Sequence, residues 1–458
     1  MLIAAASLGF YALYSVRLAF FLLIYIMFVY TIGRAFQKKK SRLVVIVAVV
    51  SALLPLLVCK YLNFGLNIID RAASIIKGGA YSHEFSIVVP LGISYFTFKS
   101  IGYLADVYKG KTETESNFLR FFAYISFFPE MLTGPIDRTD NLLKQLKEDG
   151  TKSFRNLEKG VILLLFGYFE KMCIADRLGI FVDSVYANLY SYQGIVVIIA
   201  IAFYSLQIYM DFAGCTHMAL GVGKALGFDL PENFKQPYMA VSVQEFWQNW
   251  HMSLMEWLKE YIYIPLGGNR KGTFRKYLNM MVVFFASGLW HGAGFNFIVW
   301  GCLNGILQII GMLLGKGKTF VYEKCGIAAD SEGLRWWKRA GTFILMSCTW
   351  VFFRAQSLGE AIKIFKRAAA GLNLWNLSDG TLYTLGLNEK NFCLLLFFLL
   401  FITVFDYAKT RGFKPMEWVM TGHWIFRSFV FVVLLFTVIV FGIYGTAFDA
   451  ASFIYMQF

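Results

Sequence analysis

Apolar runs long enough to cross a lipid bilayer recur along the chain, and they limit the folds that it can adopt. A spanning helix needs about 20 mostly apolar residues. Because lipid offers no hydrogen-bond partners to the backbone, such runs fold as helices. We predict an all-α, polytopic integral membrane protein with about ten or eleven transmembrane or re-entrant helices. The long runs cover residues 18–33, 43–58, 85–105, 160–182, 195–213, 280–314, 341–353, 392–406 and 424–448, and shorter or interrupted runs cover 2–16 and 118–135.

The charged content agrees with this class. Asp, Glu, Lys and Arg make up 16% of the residues, whereas an ordinary soluble domain contains about 25%. The apolar runs extend over the whole length, so we predict a single membrane-embedded domain over residues 1–458 and not a soluble domain on an anchor.

The net charge of +14 does not indicate nucleic-acid binding, because the basic residues lie in short loops between apolar runs. Such loops are typical of the cytoplasmic side of a membrane protein. We therefore predict that these basic residues lie next to a lipid bilayer and that the protein does not bind nucleic acid. The three loops assigned to the cytoplasm contain Arg34, Lys38, Lys39, Lys40 and Arg42; Arg270, Lys271, Arg275 and Lys276; and Lys409, Arg411 and Lys414.

The cysteines and histidines do not form a metal-site pattern. The seven cysteines are scattered, mostly within apolar runs, without a CxxC pair. The histidines are far apart in sequence, with no accompanying cluster of His, Cys and carboxylate residues. We predict buried thiols that act as small apolar side chains, no disulfide framework and no metal site.

The segment "EFWQNWHMSLMEWLKEYIYIPLGGNRKG" (245–272) concentrates aromatic and polar residues around a histidine. Its apolar residues recur at helical spacing, which predicts an amphipathic helix over 245–261 with His251 on the inward face. The following "IPLGGNRKG" (264–272) is a turn-rich loop whose amides and cations suit an anionic group such as a CoA phosphate.

A second histidine lies inside an apolar run. In "VVFFASGLWHGAGFNFIVWGCLNG" (282–305), His291 is surrounded by glycines that allow close approach of a helix or a substrate. An ionisable residue in a membrane helix is costly, so it indicates function. Gly and Pro also interrupt other apolar runs, and such breaks are tolerated where protein or a water-filled cavity covers the backbone. These features predict helices folded around a central funnel or tunnel.

Several motifs, in order along the chain, resemble the membrane-bound O-acyltransferase family, in its bacterial branch related to alginate O-acetylation. They are "PLGISYFTFKSIGYLADVYKG" (90–110), "FFPEMLTGPIDR" (127–138), "LQIYMDFAGCTHMALGVGKALGFDLPENFKQPY" (206–238) with the 245–272 segment, "SGLWHGAGFNFIVWG" (287–301) and "WVFFRAQSLGEAI" (350–362). The resemblance implies a catalytic core over about residues 85–310.

The resemblance implies a multi-pass enzyme of the inner or cytoplasmic membrane. It would move an acetyl group from cytoplasmic acetyl-CoA, with no bound cofactor, toward hydroxyls of an extracytoplasmic polysaccharide. His291 would act as general base, while His251 would polarise the acyl carbonyl or steady the acceptor. A separate extracytoplasmic transferase of the SGNH, esterase-like class would be a partner.

Further residues are predicted around these histidines. We expect Asn269, Arg270 and Lys271 at the donor entrance. Asp211 and Gln207 either line the tunnel or tie helices together. The other predicted tunnel-lining residues are Trp250, Trp290 and Asn296.

Two features depart from the family pattern. Members usually begin with a further hydrophobic segment, so this chain looks short by about one helix at its N-terminus. His217 stands where another residue, often Asp, is expected, and we do not count it as catalytic. His83 and His423 lie at segment edges, where we expect solvent contact.

Three other functions are compatible with the sequence. The same fold could transfer D-alanine to teichoic acid from the phosphopantetheine arm of a carrier protein, although the 264–272 loop favours the acetylating branch. A passive transporter or flippase would tolerate loss of His291 better. A scaffold that recruits the extracytoplasmic transferase would lose binding, and not chemistry, on mutation.

Overall fold

The computed structural model describes residues 1–36, 41–77, 81–148, 150–328 and 330–444. Lys38, Lys39 and Lys40 of the first basic loop, and the end of the 424–448 run beyond Tyr444, lie outside these ranges. The described residues are mainly helical, and the β-type contact among them is one isolated antiparallel bridge between Phe234 and Trp250. The all-α fold class is therefore confirmed.

The chain divides into two compact units. The first contains residues 1–157, 222–231 and 292–294, and the second contains residues 158–221, 232–291 and the chain from 295 onward. The prediction of a single membrane-embedded domain concerns the whole protein and stays a prediction.

The first unit begins with two helices separated by a single residue. Its helices are α1 (Leu2–Tyr14), α2 (Val16–Ala35), α3 (Arg42–Lys77), α4 (Ile93–Lys109), α5 (Phe118–Ile125) and α6 (Lys144–Lys147), the last preceded by a π-helical turn over Thr139–Leu143.

Within the first unit, polar contacts tie the loops to the helices. Lys99 of α4 forms a buried ion pair with Glu130. The hydroxyl of Tyr11 in α1 donates a 2.8 Å hydrogen bond to the Leu91 carbonyl oxygen. Because a buried charge is costly unless it is paired, the Lys99–Glu130 contact explains how a lysine is accommodated in an apolar unit.

The second unit contains most of the described helices and both of the histidines that are predicted to be catalytic. Its helices are α7 (Phe154–Tyr168), α8 (Asp176–Ala187), α9 (Ile195–Ala225), α10 (Val243–Asn249), α11 (Met252–Leu258), α12 (Thr273–His291), α13 (Phe295–Leu313), α14 (Gly315–Lys324), α15 (Glu332–Arg354), α16 (Leu358–Ala369), α17 (Glu389–Thr410), α18 (Pro415–Thr421) and α19 (Trp424–Phe441). π-helical segments cover Phe169–Ala175 and Lys259–Tyr263, and 3₁₀ turns cover Pro237–Met239, Leu374–Leu377 and Thr381–Thr384.

Six of the described helices are long and apolar enough to cross a membrane: α2, α3, α9, α13, α17 and α19. Their spacing along the chain confirms a multi-pass membrane protein. The number of about ten or eleven transmembrane or re-entrant helices stays a prediction, because the other predicted segments are shorter helices or are interrupted by turns.

Glycines bring helices of the second unit into backbone contact. A β-carbon at Gly288 of α12 would collide with the Phe297 carbonyl oxygen of α13, and one at Gly301 would collide with the Phe284 carbonyl oxygen. Small residues permit this close packing between membrane helices. The α12–α13 hairpin thereby places the C-terminal end of α12, which carries His291, at a fixed position.

A similar contact joins α7 and α9. A β-carbon at Gly167 would lie 2.5 Å from the Gly214 carbonyl oxygen, and one at Gly221 would lie 2.6 Å from the Gly160 carbonyl oxygen. The two helices therefore touch at two levels, and this sets the position of the polar residues that α9 carries.

The prediction of one helix over 245–261 is wrong. α10 ends at Asn249, α11 begins at Met252, and His251 between them has φ 45° and ψ 51°. Helical periodicity placed the aromatic residues correctly on the buried side, but it did not reveal the break. The physical reason is a backbone pairing with residues 233–235, described below.

We predict that Gly301→Ala destabilises the protein whereas Gly311→Ala does not. The new methyl group at position 301 would meet the backbone of α12, and such overpacking typically costs about 1–3 kcal/mol. Gly311 lies in the same helix with nothing within 4 Å of its β-carbon position, and Ala is the better helix former. Thermal unfolding of both variants in detergent tests this; equal melting temperatures would contradict the close-contact assignment.

Candidate active site

His251 lies at the break between α10 and α11, where an extended segment holds the backbone. The Lys235 amide donates to the Asn249 carbonyl oxygen at 2.9 Å, and the Met252 amide donates to the Asn233 carbonyl oxygen at 2.9 Å. These bonds lie on the two sides of His251 and force it into the left-handed region. That conformation costs a residue with a β-carbon about 1–2 kcal/mol, so surrounding contacts must maintain it.

The side chain of His251 is buried and has a defined hydrogen-bond partner. The ring is 1% exposed, and its Nδ1 lies 3.0 Å from Oδ1 of Asn233. The same oxygen accepts hydrogen bonds from the backbone amide of Ser253 at 3.2 Å and from its hydroxyl at 2.8 Å. Burial lowers the pKa of His251 to about 3, so the imidazole is neutral near pH 7.

His291 is the last residue of α12 and is also buried, at 4% exposure. Its ring is enclosed by aromatic side chains: the ring centroids of Trp300 and Phe353 lie 5.0 and 5.1 Å away, both in edge-on arrangements. The His291 ring therefore lies among aromatic side chains at the C-terminal end of α12.

Trp290 brings the two histidines into one environment. Its indole centroid lies 4.7 Å from that of the His291 ring and 5.7 Å from that of the His251 ring. The two residues are separated by about forty positions in sequence, and α12 packing against the α10–α11 region places both imidazoles against the same indole. The structure therefore joins the two predicted catalytic residues in one aromatic site.

A layer of tryptophan and phenylalanine rings surrounds this site. Trp300 and Trp350 stack with centroids 5.5 Å apart, and Phe246 stacks on Trp250 at 5.3 Å. The Trp247 indole NH donates to Oδ1 of Asn304 at 3.2 Å. Stacked and edge-on ring contacts of this kind stabilise a packed aromatic layer around the site.

Asp211 and Gln207 lie one turn apart on α9 but have different surroundings. Asp211 is buried, and its Oδ1 forms an ion pair with Nζ of Lys171 at 2.5 Å. The same Nζ lies 2.8 Å from Oδ1 of Asp176. Oε1 of Gln207 is buried and has no hydrogen-bond partner within the described residues. Asp211 thus ties α9 to the π-helical segment before α8. Its assignment to the tunnel, like that of Gln207, stays a prediction.

The other predicted tunnel residues occupy packed positions. Trp250 is 1% exposed and packs against Trp350, with centroids 5.0 Å apart. Asn296 is buried, and its Nδ2 donates to the Ala355 carbonyl oxygen at 2.8 Å, immediately after the end of α15. Both residues fix the walls of the aromatic site, and their contact with substrate stays a prediction.

Asn269, Arg270 and Lys271 are exposed on an ordered turn. Gly267 and Gly268 have φ angles of 103° and 57°, which glycine adopts readily. Nδ2 of Asn279 in α12 donates to the Gly268 carbonyl oxygen at 2.8 Å and anchors the turn. The cations are therefore exposed on a turn that Asn279 anchors, and their place at a donor entrance stays a prediction.

His217 has a polar partner away from this site. Its Nδ1 lies 2.5 Å from Oε2 of Glu170, and Phe166 packs against its ring. No group of three or more His, Cys, Asp or Glu side chains in the described part of the chain is arranged to hold a metal ion.

Sequence reasoning missed Asn233 and Lys171. Asn233 lies in "DLPENFKQPY", where an Asn next to Phe and ahead of Pro reads as an ordinary turn residue. Lys171 lies in "FEKMCIADR", and a lysine within an apolar run was the available signal that a buried carboxylate partner exists.

We predict that Lys171→Met strongly destabilises the protein. The change leaves the buried Asp176 and Asp211 carboxylates without their cation, and loss of one member of such a group typically costs about 3–5 kcal/mol. Thermal unfolding in detergent measures the loss. The matched control, Lys171→Met with Asp176→Asn and Asp211→Asn, should recover part of the stability; a single variant as stable as the wild type would refute the role of the triad.

Comparison with known proteins gives the family. The model of the membrane-bound O-acyltransferase family (MBOAT) matches residues 113–354. A probable alginate O-acetylase of Pseudomonas putida is 36% identical over 322 residues, which cover 70% of this chain and 63% of that protein. The chain thus spans less than two thirds of the length of this relative.

The matches to two further relatives cover larger shares of those proteins. A peptidoglycan O-acetyltransferase of Helicobacter pylori is 33% identical over 402 residues, covering 80% of this chain and 73% of that protein. A teichoic acid D-alanyltransferase of Streptococcus thermophilus is 30% identical over 319 residues, covering 60% of this chain and 74% of that protein. The matched region includes both buried histidines, and the chain belongs to the membrane-bound O-acyltransferase family.

Proposed function

We propose that this protein transfers an acetyl group from cytoplasmic acetyl-CoA toward hydroxyls of an extracytoplasmic polysaccharide. The observation that carries the proposal is the placement of two buried imidazoles against one indole within an aromatic enclosure. Two relatives are named for O-acetylation, of alginate and of peptidoglycan, which supports acetyl as the acyl group and a glycan as the acceptor.

The reaction joins an oxygen nucleophile to a thioester. The acceptor hydroxyl oxygen attacks the thioester carbonyl carbon while His291 takes the hydroxyl proton. The tetrahedral intermediate then collapses, the carbon–sulfur bond breaks, and the leaving thiolate recovers the proton from the His291 imidazolium. His251, which lies against the same indole, polarises the acyl carbonyl or steadies the acceptor. The aromatic rings limit access of water to the thioester.

The donor approaches from the cytoplasmic side in this proposal. Exposed Arg270 and Lys271, on the turn anchored by Asn279, attract the phosphates of CoA. The protein resides in the inner or cytoplasmic membrane, and a separate SGNH, esterase-like protein outside the membrane completes transfer to the glycan. Acetyl-CoA acts as a substrate, with no bound cofactor.

The second candidate function is D-alanyl transfer from a carrier protein to teichoic acid. The similarity to the Streptococcus thermophilus D-alanyltransferase favours it. The chemistry at the histidines is the same, because a phosphopantetheine thioester replaces that of CoA. The two functions differ in the donor, so the donor decides between them.

We predict that His291→Ala lowers acetyl-CoA-dependent release of CoA by roughly 10²–10⁴-fold, the usual contribution of a general base. The assay uses the full chain in nanodiscs with glycan and the extracytoplasmic partner present, and a thermal melt confirms folding. His423→Asn is the matched control, because His423 is exposed and caps α19, a role that Asn also fills.

Each outcome of this assay assigns a function. Release by the wild type that is lost in a folded His291→Ala variant supports acetyl transfer. Consumption of a carrier-bound D-alanyl thioester, without turnover of acetyl-CoA, would replace it by D-alanyl transfer. Turnover of neither donor would refute the enzymatic proposal and favour a transporter or a scaffold.

We predict that Arg270→Gln and Lys271→Gln each raise the KM for acetyl-CoA by about 2–5-fold without changing kcat. Exposed ion pairs contribute about 0.2–1 kcal/mol, and they weaken as salt rises. Lys414→Gln, at an exposed lysine in another basic loop, is the control and should leave KM unchanged. Equal effects of all three changes would contradict a specific donor entrance.

A further inference from the structure

The orientation of the Asn233 amide can be deduced from its neighbours. Ser253 donates its backbone N–H and its hydroxyl to one atom of this amide, at 3.2 and 2.8 Å. A backbone N–H can only donate, so the atom that faces it must be the amide oxygen. Flipping the amide would place two donors against each other, and the assignment of Oδ1 is therefore determined by chemistry.

This orientation determines the position of the hydrogen on His251. Nδ1 lies 3.0 Å from the same amide oxygen, which has no hydrogen to give. Nδ1 must then carry the hydrogen, and in a neutral imidazole the lone pair is on Nε2. Because burial lowers the pKa of His251 to about 3, the ring stays neutral through the physiological range.

Asn233 is itself rigidly held. It is 1% exposed, and its carbonyl oxygen accepts the Met252 amide while its side-chain oxygen accepts from Ser253 and His251. It therefore contacts the left-handed His251 itself and the two residues that follow it. A residue with this many contacts at one histidine has a larger role than filling space.

We propose that Asn233 is a positioning residue that holds His251 with Nδ1 protonated and presents the basic Nε2 to the reacting groups. The inference rests on the proposed acyl transfer and deepens it. Nε2 in this state accepts a hydrogen bond and cannot donate one to the thioester carbonyl oxygen. Of the two roles considered for His251, the geometry thus points to steadying of the acceptor substrate.

The proton balance defines the group that Nε2 binds. The attacking hydroxyl has one hydrogen, and His291 removes it in the proposed reaction. The donor to His251 Nε2 is therefore a second O–H or N–H group of the acceptor. No proton is gained or lost at His251 during the transfer.

Other ionisable groups lie on the elements that pack against His251 and bear on its pH response. Asp211, which is paired with Lys171, and His291 are each next in sequence to a residue whose ring contacts His251. Glu245 lies in α10 and Glu256 lies in α11, on the two sides of His251. None of them is altered in the variants below, so a change in the pH profile can be attributed to position 233.

The first test reads the tautomer without any assay of activity. The chain has five histidines, so the full protein labelled with ¹⁵N-histidine in nanodiscs gives a small set of ring signals, and loss of one set in His251→Gln identifies His251. We expect a protonated Nδ1 and a bare Nε2 at pH 7. A protonated Nε2, or protons on both nitrogens, would overturn the proposal whether or not acetyl transfer occurs.

We predict that Asn233→Asp raises, by about one unit or more, the pH at which the ¹⁵N ring signals of His251 change to those of the imidazolium. The carboxylate accepts the same hydrogen bonds but favours the imidazolium, so His251 loses its lone pair at a higher pH. Asn388→Asp adds the same charge at an exposed helix cap and is the control. An unshifted profile in a folded Asn233→Asp protein would refute a positioning role.

Asn233→Leu removes the acceptor altogether. We expect it to lower kcat by roughly 10²-fold through misplacement of the ring, and to release the tautomer preference seen by NMR, because Nδ1 loses its partner. If this variant fails to fold, Asn233→Asp and the wild-type spectrum still decide the question. If the wild type shows the expected tautomer but releases no CoA, the proposed donor is wrong while the tautomer assignment stands.

Discussion

Backbone hydrogen bonding is the constraint on which the rest of this structure depends. In lipid, an unpaired N–H or carbonyl group costs several kcal/mol, so the chain folds into helices wherever it crosses the membrane. Irregular backbone that is buried within the protein requires internal partners as well. The segment 233–235 supplies them at the break around His251, through the Lys235 and Met252 amide bonds. The same bonds that satisfy the backbone also place the imidazole.

Close helix contacts convert this arrangement into a site. Gly288 and Gly301 let α12 and α13 touch, which sets His291 at the end of α12. Trp290, the residue before it, contacts both imidazoles. The site therefore depends on small residues as much as on the histidines, because added bulk in the hairpin would displace the ring that links them.

Burial has opposite consequences for the charged and the neutral polar groups of the second unit. Lys171 is retained in an apolar environment because two carboxylates surround it. His251 has a neutral amide as its partner, so burial keeps it uncharged. A carboxylate in place of Asn233 would favour the imidazolium, which is unsuited to accept a hydrogen bond. An amide at this position, in place of an acid, thus keeps the imidazole able to accept a hydrogen bond.

The sequence by itself determined that the protein is a helical, multi-pass membrane protein with His251 and His291 as its candidate catalytic residues. Apolar run length and the cost of a charge in lipid depend on local composition, which a sequence displays directly. Only the tertiary structure decided that the 245–261 helix breaks at His251, that Trp290 touches both rings, and that Asn233 orients one of them. These features depend on contacts between residues distant in sequence, and helical periodicity carries no information about such contacts.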